Sequence, residues 1–129
     1  MLTLTRIQIE KLTKAEGRRR YEYSVKKIVD WEVAWGLYDD GWIMGADDNE
    51  NPIFPLWPAR QLAELCAIGD WKNCLTREID LDYLMDDLLP NLIDDEINLG
   101  IFGVLDRTDT PVVKPADFLR DLTAECDRY

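Results

Sequence analysis

The run Trp35-Gly36-Leu37-Tyr38-Asp39-Asp40-Gly41-Trp42-Ile43-Met44-Gly45-Ala46 constrains the fold of this chain more than any other stretch. Asp40-Gly41 is a dipeptide suited to a tight turn with positive φ, and apolar, aromatic segments flank it on both sides. A two-residue loop predicts strands over 33–39 and 42–46. Asp39 then faces Trp42, Leu37 faces Met44 and Trp35 faces Ala46. Val33, Trp35, Leu37, Trp42 and Met44 share the core face. The opposite face carries Tyr38, Ile43 and a facing pair of glycines, Gly36 and Gly45. Glycine inside a strand leaves space for another backbone or a ligand, so Gly36, Tyr38, Ile43 and Gly45 make a candidate binding surface.

The segments around this hairpin supply both helices and strands. Thr5 and Gln8 have capping-box spacing, with Leu4 and Ile9 as the hydrophobic staple. Thr13 and Glu16 repeat the signal, which predicts a short first helix ending near Leu12 and a second running to about Asp30. Tyr21, Ser24, Val25 and Ile28 form the inner stripe of that second helix. Arg18, Arg19 and Arg20 are expected on a solvated face, paired with acidic residues of the same domain. Residues 53–57 read as a strand, and Pro52, Pro55 and Pro58 place it at a sheet edge because proline donates no ladder hydrogen bond. A helix follows Pro58, using Leu62, Leu65 and Cys66 inside and Gly69 as its C′ residue. Residues 75–79 are extended. Asp80 caps a helix with Leu81, Leu84, Met85 and Leu88 inside, ended or kinked by Pro90. Residues 97–104 form a covered strand, 111–114 return beside it, and a last helix after Pro115 buries Phe118, Leu119, Leu122 and Cys126. The mixture predicts a single α+β domain over 1–129, an antiparallel sheet of about four to six strands with helices packed on it. Residues 1–30 form its basic helical N-terminal segment.

The chain has 129 residues, 47% hydrophobic and 32% charged, which suits one globular domain with its own core. No apolar run approaches the roughly 18 residues of a membrane span, so no membrane partner is expected. Residues 1–10 lack a basic start followed by an apolar run. Cys66, Cys74 and Cys126 are odd in number and form no C-x-x-C, the usage of a reducing cytoplasm in which they stay free thiols.

The charge is uneven. Of the 15 basic and 26 acidic residues, residues 1–30 hold eight and four, so that segment is +4 and the remainder −15. Asp39-Asp40, Asp47-Asp48, Asp86-Asp87 and Asp94-Asp95-Glu96 are clusters of one sign. Such a surface repels nucleic acid phosphates and attracts basic proteins. Asp94, Asp95 and Glu96 are therefore candidates for a docking face, and nucleic acid is excluded as a partner.

The missing residue types restrict the chemistry further. With no histidine, Ser-His-Asp and Cys-His catalysis, histidine zinc sites and histidine pH sensing are all out of reach. Ser24 is the one serine and lies in a basic helix. No Walker A loop and no G-x-G-x-x-G is present, so no nucleotide cofactor is expected. Asp47-x-Asn49-x-Asn51 opens like a calcium loop, but Pro52 stands where that loop needs glycine and Pro58 where it needs the closing glutamate. No catalytic, cofactor or metal residue is assigned. Trp31, Trp35, Trp42 and Trp57 gather around the hairpin and the third strand, as core filling or as the wall of a groove near Gly36 and Gly45.

Four segments are distinctive together: Arg20-Tyr21-Glu22-Tyr23, the W-G-L-Y-D-D-G-W hairpin from Trp35, Phe54-Pro55-Leu56-Trp57-Pro58 and Ala63-Glu64-Leu65-Cys66. They resemble a bacterial family described as a domain of unknown function, DUF2750, over most of the chain. The resemblance implies a stand-alone bacterial cytoplasmic protein and assigns no activity or site residue. By fold-level analogy the chain is also similar to the small acidic immunity proteins that accompany bacterial toxins. The expectation is a non-enzymatic binding protein that docks a basic protein. The alternatives are a metal-dependent enzyme with a carboxylate-only site and a homodimeric regulatory adaptor.

Overall fold

The computed structural model describes residues 4–46, 49–105 and 107–128. It is an α+β protein in which helices pack on two small sheets. Helix α1 (Arg6–Lys14) starts in the expected capping box: Thr5 Oγ1 accepts from Gln8 N–H at 3.2 Å and Gln8 Oε1 from Thr5 N–H at 2.8 Å. Thr13 does not cap a second helix. Its hydroxyl bonds back to the carbonyl of Ile9, so α1 runs on past Leu12. Helix α2 (Gly17–Trp31) begins at Gly17, with Glu16 at the N-cap position. Its inner stripe of Ser24, Val25, Ile28 and Val29 packs on the sheets and on the last helix, α6 (Pro115–Cys126).

Strand β1 (Val33–Tyr38) leads into the turn at Asp40-Gly41, where φ is +57° and +141°. The tip lies where the sequence puts it, but the pairing differs. Tyr38, not Asp39, sits opposite Trp42, and beyond that bridge the returning segment leaves β1. A shift of one residue exchanges the two faces of a strand. The ladder partner of β1 is instead β4 (Leu75–Asp80), antiparallel, with Gly36 opposite Arg77 and Tyr38 opposite Leu75. The returning segment forms β2 (Gly45–Ala46), which pairs with β3 (Pro52–Leu56) in the other sheet.

Strand β3 is not at an edge. It lies between β2 and β5 (Asn98–Ile101), parallel to β5, and β5 in turn pairs antiparallel with β6 (Val112–Val113). Its prolines are tolerated because β2 covers only two positions. Pro52 pairs at the end of β2, and Pro55 lies beyond it, where no ladder bond is demanded from its side of the strand. The two sheets are tied by Trp35 and Trp57, whose backbones exchange two hydrogen bonds of 2.8 Å.

Helix α3 (Arg60–Leu65) buries Leu62 and Ala63 but leaves Leu65 exposed. Gly69 has the expected positive φ, yet it opens a 3-10 turn (Gly69–Trp71) rather than ending α3. After β4 come α4 (Leu81–Tyr83), a π-helical turn (Leu84–Leu88) and α5 (Leu89–Asp94). Pro90 therefore does not end the helix. The widened turn, closed by Leu89 N–H on Leu84 O, absorbs the donor that proline lacks. Leu81, Leu84, Leu88, Leu89 and Leu92 all face the core, where Phe118, Leu122, Ile101 and Phe102 complete it.

Candidate functional site

The sequence-predicted binding surface divides between two places. Gly36 lies in the middle of β1, and a β-carbon there would come 3.0 Å from the Trp42 ring. The missing side chain is what lets the indole lie over the strand. Trp42 meets Tyr38 edge to face at 5.4 Å and Phe54 at 5.8 Å. Arg77, directly across from Gly36, lays its guanidinium 4.3 Å from the Tyr38 ring centre and 5.7 Å from that of Trp42. A cleft of about 480 Å³ opens beside this stack, lined by Tyr38, Gly41, Trp42, Tyr83 and residues 77–80 of β4.

Gly45 lies elsewhere. It pairs with Ile53 in the four-stranded sheet, where a β-carbon on it would lie 3.9 Å from the Trp71 ring, so it does not oppose Gly36. A second pocket of about 280 Å³ forms there, walled by Trp57 and Trp71 and floored by Ile53, Gly45 and Gly100. Cys66 reaches its rim. The thiol donates to Gly103 O at 3.4 Å, a carbonyl shared with Trp57 Nε1–H at 3.0 Å. Burial pushes the Cys66 thiol above its ordinary pKa, which keeps it protonated and a poor nucleophile. Half-buried Ile43 lies between the two places, its N–H on Leu37 O at 2.8 Å.

Asp94, Asp95 and Glu96 are exposed at the end of α5, with Glu96 at positive φ. Glu96 borders a shallow pocket with Asn98 and Lys114. That pocket is lined by none of Gly36, Tyr38, Ile43 and Gly45. Of the tryptophans, Trp35 and Trp57 are buried, Trp42 and Trp71 are half-buried, and Trp31 is exposed. Asp47, Asp48 and thus the opening of the calcium-like loop lie outside the described residues. Among the described residues no three acidic or cysteine side chains converge to hold a metal ion.

Arg20 corrects the expectation of a wholly solvated basic face. Arg18 and Arg19 are exposed and pair with Glu22 and Glu16, but Arg20 is fully buried. Its guanidinium donates to Phe102 O at 3.2 Å, Ala15 O at 2.9 Å and Asp109 Oδ1 at 3.1 Å. Arg107 grips the same carboxylate at 2.7 and 3.0 Å. Hydrogen bonds from Arg107, then Arg20, hold Asp109 well below the usual carboxylate range. The sequence carried one sign of this: Arg20, Ser24 and Ile28 are four residues apart and share the inner stripe. Nothing local marks Arg77, because its neighbours come from another strand.

The fold defines a mixed α+β protein with an aromatic cleft beside β4 and an apolar pocket beside β3. The model of the family described as "Protein of unknown function (DUF2750)" matches residues 21–122, and the chain belongs to that family. A search of the curated proteins finds no match. No helix among the described residues is long and apolar enough to cross a membrane.

Proposed function

We propose that this chain is a non-enzymatic binding protein of the cytoplasm that presents an acidic surface to a basic protein. One observation carries the reading. In the N-terminal helices the acids are spent on internal pairs: Glu10 with Arg6, Glu16 with Arg19, Glu22 with Arg18 and Asp30 with Lys27. From α4 to the end of α5 the pattern reverses. Asp82, Asp86, Asp87, Asp94, Asp95 and Glu96 are all exposed, and none makes an ion pair with any described residue. Acids at the C-terminal end of α5 also oppose the helix dipole. A surface that keeps uncompensated charge of one sign bears self-repulsion and steers ligands of the opposite sign. An immunity-like role is the special case in which the basic partner is a toxin.

Kinetics test it. A basic protein captured at low salt should associate more slowly as ionic strength rises, while its dissociation changes less. Replacing Asp94, Asp95 and Glu96 with Asn, Asn and Gln should slow association. Association that ignores salt, or capture of acidic or nucleic ligands alone, would reduce the acidic surface to a solubilising coat.

A further inference from the structure

Arg77 stands apart from the other arginines. Arg6, Arg18, Arg19, Arg20, Arg60, Arg107, Arg120 and Arg128 each form an ion pair. Arg77 forms none with any described residue, although Glu78 is its neighbour. The Tyr38 and Trp42 rings hold its guanidinium instead, and the guanidinium N–H groups have no hydrogen-bond partner among the described residues. It belongs to β4, whose outer edge pairs with no strand among the described residues. Residues 77–80 of that strand line the cleft beside Trp42 and Tyr83. An open edge, an oriented cation and aromatic walls coincide in one place.

We propose that β4 is where the partner docks, by adding an extended segment antiparallel to its outer edge. This deepens the basic-partner reading and rests on it. Backbone hydrogen bonds would supply affinity and the side chains register. Residues directly opposite one another in a sheet share a face. The segment therefore carries an acid opposite Arg77 and bases opposite Glu78 and Asp80, with an apolar residue opposite Ile79. Such a segment is net basic.

A second copy of this chain does not meet that demand. Twofold antiparallel pairing of β4 with itself matches residues of the same face. The two central registers set Arg77 against its own copy or Glu78 against its own copy, and like charges directly opposite are destabilising. The same charges guard the edge against aggregation.

The probe is a labelled peptide, Lys-Val-Lys-Glu-Thr-Val, which places these residues opposite positions 80 to 75. Its control is the isomer Lys-Val-Glu-Lys-Thr-Val, of equal net charge but with like charges opposite Arg77 and Glu78. Fluorescence anisotropy at low salt should favour the first by about fivefold to tenfold, and amide exchange should slow in β4. The double exchange R77E/E78R, checked for native circular dichroism, should reverse the preference. Equal affinity for the isomers, or protection away from β4, would overturn the proposal. If the isomers bind alike while a basic protein still associates in a salt-dependent way, β4 is not the dock and the acidic-surface reading stands. If the isomers are discriminated but protein association ignores salt, the dock stands and the steering role falls.

Discussion

Arg20 and Asp109 lie 89 positions apart in the chain, and Arg20 Nη1 and Nη2 approach the same Asp109 oxygen at 3.1 and 3.2 Å. The Asp109 carboxylate also accepts from Gly17 N–H at 3.0 Å, at the first residue of α2. One acidic side chain thus fastens the start of the basic helix to the loop between β5 and β6. A β-carbon on Gly17 would collide with the Asp109 carbonyl, so the contact also requires that glycine.

Arg20→Ala should therefore destabilise the fold by at least about 1–3 kcal/mol, the cost of leaving buried polar groups such as the Phe102 carbonyl without their donor. Asp109→Asn should lower the melting temperature as well, and Arg18→Ala, at an exposed pair, should barely move it. Thermal melts of the three variants check the order. An Arg20 variant as stable as the Arg18 variant would contradict the buried role.

Gly41→Val should cost about 1 kcal/mol or more, on the scale of strained backbone positions. At φ +141° the strain is conformational, since a β-carbon there would meet no atom within 4 Å. Denaturant unfolding would show it as a lower midpoint with an unchanged slope. A wild-type midpoint would argue against this turn geometry.

Gly36→Ala puts a methyl group 3.0 Å from Trp42. Overpacking of this kind costs about 1–3 kcal/mol, and displacement of the indole should loosen the Arg77 stack. Tryptophan emission should move to longer wavelength. An unchanged spectrum and stability would mean that the ring does not need the space.

Tyr21 donates its hydroxyl to Asp121 and packs on Phe118 with ring centres 6.2 Å apart. Burial, reinforced by the hydrogen bond and charge of Asp121, raises its pKa well above the ordinary 10.0. The folded pKa lies above the unfolded one, so this stabilisation is complete below pH 10 and is lost as pH rises past it: the unfolded phenol ionises first. An ultraviolet titration should find Tyr21 and Tyr23 ionising late, with Tyr21 returning towards normal in Asp121→Asn. Normal ionisation in the native protein would remove the bond from the fold.

What the sequence determined by itself was local. The capping box at Thr5, the turn at Asp40-Gly41, the inner stripes of α2 and α6 and the mixture of helix and strand all follow from short-range geometry: a cap, a positive φ, a period of 3.6 or 2. Tertiary structure decided which strands meet. A period of two says that a strand has faces but not which partner lies beside it, so the continuation of the hairpin from Trp42 passed to β3 while β1 took β4, about forty residues on. The same limit set β3 inside its sheet despite the prolines, because the brevity of β2 cannot be read from β3. It also separated Gly36 from Gly45, which a one-residue difference in register had joined. Arg20 became a buried anchor, and Arg77 a cation with no ion pair among the described residues on the outer strand of its sheet, for one physical reason. The state of a charged side chain depends on what surrounds it, and for both residues the surroundings arrive from distant parts of the chain.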